Sequence, residues 1–119
     1  MSDADLNALP LLDDEVITEL RDIMEEDFAE LLGVFLSDLP VQIARLQDAA
    51  VQGNADELYQ IAHKLKSSCG SIGATRLTEL VRRLEQIGRL KTLDVTTTLL
   101  RQVEMVTSET IAALQAHLG

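Results

Sequence analysis

Apolar residues recur at intervals of three and four positions along almost the whole chain, which is the period of an α-helix. The clearest run extends for about six helical turns, from Phe28 to Ala50. Tryptophan is absent, and Leu, Ile, Val and Ala supply most of the apolar positions. This composition favours packed helices over sheets, in which aromatic and β-branched residues concentrate. The sequence therefore predicts an all-α protein.

Breaks in this pattern divide the chain into one short helix and four long ones. Asp13-Asp14-Glu15 begins the short helix, because carboxylates favour a helix N-terminus. Pro40 lies inside the second helix and is expected to bend it without ending it. The other predicted boundaries are Asn54 as the N-cap of the third helix, Gly73 as a break, the end of the fourth helix near Gly88 and Asp94 as the start of the fifth.

Four long amphipathic helices joined by short loops predict an antiparallel up-and-down four-helix bundle. We expect residues 13–119 to form this single domain, with the short helix as a lid, after an N-terminal tail of residues 1–12. The longest apolar run, Leu31–Leu36, is far shorter than the ~20 residues that a membrane span requires. The acidic N-terminus lacks the basic segment of a signal peptide. We therefore expect a complete cytoplasmic protein.

Charge is distributed unevenly along the chain. The net charge of −10 argues against nucleic acid as a partner, since phosphate binding requires clustered Lys and Arg. Residues 1–58 hold 15 acidic and 2 basic side chains, whereas residues 59–91 hold 2 acidic and 7 basic ones. This basic segment is either an ordinary solvated face or a docking site for a negatively charged partner. In the second case, the short helix and the start of the second helix would supply an apolar portion beside it.

His63 lies within the basic segment, on the outer face of the third helix. At 100° per residue it is about 200° from both Ile61 and Leu65, so it points away from the core. The residues on its own face are Tyr59, Gln60, Lys66 and Ser67, with Gly70 one turn further on. The histidine is thus expected to be exposed, with a cation one turn away and small side chains beside it.

Several kinds of chemistry can be weighed for this histidine. A metal site would require a second ligand three or four residues on, where Lys66 and Ser67 stand instead. Cys69 faces the core, and a nucleophile pair would lack an orienting third group. An inert surface histidine remains open. The other chemistry that suits an exposed imidazole among cations is transient bonding to a phosphoryl group, whose charge a nearby ammonium offsets.

The stretch from His63 to Ala74 resembles the motif of the histidine-containing phosphotransfer (HPt) domain family of bacterial and fungal phosphorelays. That motif reads approximately His-x-Leu-Lys-Gly-Ser-Ser-x-x-x-Gly-Ala. The matching residues at the same spacing are His63, Leu65, Lys66, Ser68, Gly73 and Ala74. The likeness extends from about Leu12 to the C-terminus. The sequence departs from the motif at Ser67, where the family has glycine, and at Cys69, where it has the second serine.

The resemblance implies that Nε2 of His63 accepts a phosphoryl group from a receiver-domain aspartate of a hybrid sensor kinase and passes it to a response regulator. Glu85 matches the family position whose side chain bonds the other imidazole nitrogen, although an ordinary surface acid remains the alternative. Lys66 completes the predicted catalytic group. The predicted partner-binding residues are Tyr59, Lys64, Ser67, Gly70, Arg82 and Arg89.

The resemblance also implies a stand-alone monomer that carries no cofactor, since the receiver would supply Mg²⁺. No Gly-rich phosphate loop is evident in the sequence, so we expect no kinase activity with ATP. The alternative function is a non-phosphorylated helical module that docks or sequesters a receiver domain.

Overall fold

The computed structural model describes residues 3–118, and side chains from residue 5 onward. Every regular element in this range is helical and no strand occurs in it, which confirms the all-α prediction. Turns of 3₁₀-helix, Glu25–Asp27 and Leu93–Val95, precede the third and sixth helices. The helices are α1 (Asp3–Ala8), α2 (Asp14–Met24), α3 (Phe28–Val51), α4 (Ala55–Ile72), α5 (Thr75–Leu90) and α6 (Thr96–Gln115).

The four long helices enclose a common core. α3 packs against α4, α4 against α5 and α5 against α6, and α3 also contacts α6. All six helices contribute buried apolar side chains, among them Leu6, Ile17, Leu39, Leu65, Leu84 and Val103. Within residues 3–118, no helix has the length and hydropathy needed to cross a membrane.

Polar side chains and glycine set the helix ends that flank α4. Asn54 Oδ1 accepts the N–H of Glu57 at 3.1 Å, which confirms the predicted N-cap. Gly73 ends α4 with φ +82°, a conformation that strains any residue with a side chain. Its carbonyl accepts the N–H of Asp13 at 2.7 Å, so the beginning of α2 is fixed against the end of α4.

The predicted helix end near Gly88 is right to within two residues, since α5 ends at Leu90 with Lys91 as its C-cap at φ +58°, but Gly88 itself lies inside the helix. Gly88 is instead a point of close approach between α4 and α5. A Cβ atom at Gly88 would lie 2.7 Å from the backbone nitrogen of Tyr59 and 2.9 Å from the carbonyl oxygen of Ala55. Only glycine permits that separation, so this residue marks a contact between helices.

Other sequence expectations also require correction. Asp94 lies within the turn Leu93–Val95 and does not begin α6, which starts at Thr96. The helical period also predicts the pair Ser68-Cys69 on the apolar face of α4, but only Cys69 points inward and Ser68 is exposed. The same period predicts Ile23 and Leu118 on apolar helix faces, yet Ile23, near the end of α2, is 77% exposed, and Leu118 lies beyond the end of α6 and is exposed.

The segment predicted as a tail, residues 1–12, contains α1 and contacts the bundle in its described part. Leu6 is buried, and the Arg76 guanidinium from α5 donates to the carbonyl oxygen of Leu9 at 2.7 and 3.1 Å. Arg76 also reaches the carbonyl oxygen of Asn7 at 3.4 Å. One cation of the basic segment therefore fixes the N-terminal residues on the fold.

Candidate functional site

His63 lies on the outer face of α4, and its side chain is 56% exposed. Its Nδ1 atom lies 2.7 Å from Oε2 of Glu85, which projects from α5. The Glu85 side chain is only 11% exposed, so it is not the surface acid that the sequence left open. The imidazole therefore stands at the surface with one nitrogen held by a nearly buried carboxylate.

Lys66 binds the same carboxylate from the other side. Its Nζ donates to Oε1 of Glu85 at 2.9 Å, so each carboxylate oxygen has its own partner. Burial by itself raises the pKa of the Glu85 carboxyl, but the hydrogen bonds from Lys66 and His63 outweigh burial and hold this pKa below its ordinary value. Glu85 is thus ionised at neutral pH, although its side chain is nearly buried.

An ionised Glu85 determines which nitrogen of His63 carries the proton. A carboxylate only accepts hydrogen bonds, so the 2.7 Å contact requires a proton on Nδ1. In the neutral ring, Nε2 then keeps its lone pair. Because the side chain is more than half exposed, this lone pair is available to an incoming electrophile.

The predicted partner-binding residues on α4 differ in their relation to the imidazole, and Tyr59 contacts it. The Tyr59 ring is half-buried and stacks on His63, with ring centroids 5.8 Å apart and planes inclined by 17°. Lys64, Ser67 and Gly70 are exposed on the same helix. A Cβ at Gly70 would lie 3.9 Å from Thr78 Cγ2, in ordinary van der Waals contact, so the helix pair does not itself require glycine at this position.

The two predicted arginines of α5 differ in their surroundings. Arg82 donates from Nε and a terminal nitrogen to the two oxygens of Glu79, at 2.8 Å each, and Arg83 also contacts Glu79. The hydrogen bond from Arg82 holds the pKa of the Glu79 carboxyl below its ordinary value despite partial burial. Arg89, in the last turn of α5, is exposed. Arg82 is therefore partly neutralised, whereas Arg89 presents its charge to solvent.

An open apolar groove of about 590 Å³ adjoins Ser67 and lies between α2, α3 and α4. Its position agrees with the expectation that the short helix and the start of the second helix supply an apolar surface beside the basic segment. The sequence signal was the width of the apolar stripe on α3, where Leu31, Leu32, Val34, Phe35 and Leu36 cover more than one face. The residues that line the groove include Leu20, Leu31, Val34, Phe35, Leu65, Ser67 and Ser71.

The described part of the chain, residues 3–118, contains no group of three or more His, Cys, Asp or Glu side chains that could hold a metal ion. Cys69 is fully buried, as predicted, and burial raises the pKa of its thiol to about 12. This thiol is consequently neutral and behaves as a small apolar side chain.

Comparison with known proteins agrees with this geometry. The model of the Hpt domain family matches residues 30–117. The crystal structure of histidine-containing phosphotransfer protein B (HptB) from Pseudomonas aeruginosa PAO1 superposes with a TM-score of 0.89 and 28% sequence identity, covering 92% of this chain and 95% of that one. No curated protein matches the chain. Because the family model covers well over half of the residues and a member's structure superposes along nearly the whole length, the chain belongs to the Hpt domain family, whose members carry phosphoryl groups in phosphorelays.

Proposed function

We propose that this protein is a monomeric cytoplasmic phosphocarrier in which His63 accepts a phosphoryl group from a receiver-domain aspartate of a hybrid sensor kinase. It then passes the group to the receiver of a response regulator. The observation that carries the proposal is the 2.7 Å contact between Nδ1 of His63 and Glu85, which in the neutral ring leaves the lone pair on Nε2 of a side chain that is more than half exposed. The family membership and the superposition on HptB support it.

In the accepting step, the Nε2 lone pair attacks the phosphorus of the aspartyl phosphate. The N–P bond forms while the P–O bond to the aspartate breaks, and the aspartate leaves as a carboxylate with the bonding electrons. The imidazole keeps its Nδ1 proton and becomes cationic, so the ionised Glu85 at 2.7 Å stabilises the phosphorylated ring. Reversal of the same step on a second receiver returns the ring to its neutral form.

Lys66 serves this chemistry through charge. Its ammonium is bound to Glu85 at 2.9 Å and its side chain is 31% exposed, so it also faces the surface at which a phosphoryl group arrives. The receiver would supply the Mg²⁺ that this transfer uses, and we propose no cofactor for the chain itself. We likewise propose that it forms no phosphohistidine from ATP.

The surface beside His63 suits a receiver domain. Ser67 and Gly70 leave the approach open, and the apolar groove begins at Ser67. The exposed cations Lys64 and Arg89 suit the acidic active site that receivers of this relay class present. We propose that the receiver packs on the groove and places its aspartate over His63.

Labelling from a phosphorylated receiver in the presence of Mg²⁺ tests the proposal. The wild-type protein should take up one acid-labile, base-stable phosphoryl group, and His63→Gln should keep its helix content and lose all labelling. The matched control is His117→Gln, since His117 follows the end of α6, where it contacts Arg21 at 2.9 Å. That variant should be labelled normally.

Labelling that survives in His63→Gln would contradict the assignment of the acceptor. A wild-type protein that binds receivers tightly but takes up no label would instead establish the alternative, a module that docks or sequesters receivers. The apolar groove would serve such a module equally well, because packing on it does not require an imidazole.

A further inference from the structure

The face of the His63 imidazole is covered by an aromatic ring. Tyr59 lies four residues earlier on α4, and the two rings are offset and nearly parallel, with a centroid distance of 5.8 Å and an interplanar angle of 17°. Such a contact restricts rotation of both rings. It leaves the Nδ1 edge of the ring free to reach Glu85, and Nε2 is the ring nitrogen without that partner.

The backbone of Tyr59 is itself fixed by α5. A Cβ at Gly88 would lie 2.7 Å from the nitrogen and 3.0 Å from the Cα of Tyr59, so the two helices touch at this point. His63 lies one turn further along α4, and Glu85 lies three residues back along α5. The same two helices therefore meet twice, about one turn apart. Tyr59 contacts Gly88 at one level, and His63 bonds Glu85 at the next.

These two contacts act on different degrees of freedom of the imidazole. The carboxylate of Glu85 fixes the position of Nδ1, but one hydrogen bond allows the ring to tilt about it. The stacked ring of Tyr59 limits that tilt, because rotation of the imidazole would drive it into the tyrosine. Together they fix the direction of the Nε2 lone pair.

We propose that Tyr59 is a positioning residue for the phosphoryl acceptor: its ring holds the His63 imidazole with Nδ1 on Glu85 and Nε2 directed outward. The kinetic consequence rests on the proposed phosphocarrier function, whereas the effect on the imidazole does not. Tyr59 differs in this role from a residue that only contacts the partner, which is how the sequence alone places it.

The test compares Tyr59→Phe, which keeps the ring, with Tyr59→Leu, which removes it and remains a good helix former. Gln60→Ala is the matched control, because Gln60 is exposed on the next position of α4. The ¹⁵N shifts of the two histidines, with His63 assigned through His63→Gln, report the tautomer at a pH above the ordinary titration range of histidine. Single-turnover labelling over a range of phosphorylated receiver concentrations gives the rate at saturation.

In Tyr59→Leu, the Nδ1 and Nε2 shifts of His63 should move towards each other, as the Nδ1–H tautomer loses its preference. The saturating labelling rate should fall by about 2- to 12-fold, the range expected from loss of one aromatic pair. Tyr59→Phe and Gln60→Ala should match the wild type in both measurements.

Unchanged ¹⁵N shifts in Tyr59→Leu would overturn the proposal. An unchanged saturating rate that is reached only at a higher receiver concentration would also overturn it, because Tyr59 would then be a docking residue. A loss of rate in Tyr59→Phe equal to that in Tyr59→Leu would also overturn it, since the hydroxyl would then be responsible. If the wild type takes up no label, the phosphocarrier function fails, and the ¹⁵N shifts still decide the positioning role.

Discussion

Lys66 and His63 bind opposite oxygens of one carboxylate: Nζ of Lys66 lies 2.9 Å from Oε1 of Glu85, and Nδ1 of His63 lies 2.7 Å from Oε2. The lysine thereby offsets the charge of the group that orients the histidine. Partial exposure of Lys66 weakens this pairing by solvent screening but leaves it intact as a geometric constraint.

Replacement of this lysine should slow phosphoryl transfer with little effect on the fold. For Lys66→Ala we expect a rate about three- to tenfold lower, because Glu85 loses one partner and the arriving phosphoryl group loses a cation. The free energy of unfolding should fall by roughly 0.5–1 kcal/mol. Lys64→Ala is the control, as Lys64 is exposed on the same helix and should change the transfer rate at saturating receiver much less. Equal effects of both substitutions would mean that general charge is responsible.

The Glu85 carboxyl should make stability depend on pH. Its pKa is lowered in the folded protein, from a reference value of 4.5, so the ionised form stabilises the fold. This contribution is fully present above the reference pKa and is lost as the pH falls through the lower folded pKa. Urea unfolding measures this effect. The free energy of unfolding of the wild type should exceed that of Glu85→Gln by about 1 kcal/mol at pH 7, and the difference should vanish in more acidic solution. Glu109→Gln, an exposed control on α6, should show no such trend.

The size of residue 67 should control access to His63. Ser67 is exposed one turn from the imidazole and also lines the groove. Ser67→Gln should lower the transfer rate by about tenfold or more, since a displaced partner cannot align the phosphorus with Nε2. Ser67→Gly should be tolerated, and so should Ser108→Gln on the exposed face of α6. A normal rate in Ser67→Gln would show that the partner does not approach over this face.

Charge around His63 should govern the encounter with the receiver. Arg89→Glu should lower the association rate by about three- to tenfold at low salt, and the effect should shrink as salt screens it over ~8 Å. Arg82→Glu should act in the same direction, although it also breaks the ion pair with Glu79. Stopped-flow binding at several salt concentrations measures both, with Arg101→Glu on α6 as the control. If Arg101→Glu lowered the association rate as much as Arg89→Glu does, the overall charge of the protein, and not the charge around His63, would govern the encounter.

Gly88 should resist substitution even though alanine is the better helix former. A Cβ would lie 2.7 Å from the Tyr59 backbone nitrogen, so Gly88→Ala must separate α4 from α5. The strain should cost about 1–3 kcal/mol, which at least offsets the gain of ~1 kcal/mol in helix propensity, so the free energy of unfolding should stay the same or fall by up to about 2 kcal/mol. Gly33→Ala in α3 should be neutral or stabilising, since a Cβ there meets no heavy atom of the described residues within 4 Å. Stabilisation by Gly88→Ala would contradict the close approach.

The sequence was sufficient for features that depend on local periodicity. The helical period placed His63 outside and Cys69 inside, and the capping rules identified Asn54 and Gly73. Features that depend on contacts between helices were misjudged or missed. Gly88 has the same local signature as a helix stop, and only the packing of α4 on α5 shows its purpose.

The same limit applies to charge. The sequence counts Arg76 and Arg82 as members of one basic segment, but Arg76 binds the carbonyl oxygen of Leu9 and Arg82 binds Glu79. Burial of Glu85 was equally hidden, because its surroundings come from the neighbouring helix. Composition gives the sign of the net charge of a segment, whereas the fold determines which of its charged side chains are exposed to solvent.

The groups that would perform the chemistry all lie on α4 and α5, two consecutive helices, while the groove is formed by α2 and α3 together with α4. Part of the proposed recognition surface therefore lies on an earlier stretch of the chain that holds no reacting group, whereas Ser67 and the exposed cations share the helices of His63 and Glu85. Substitutions along the earlier stretch could redirect the protein to a new receiver while the reacting imidazole keeps its surroundings. In such an arrangement a duplicated gene can acquire a separate signalling route without passing through an inactive intermediate.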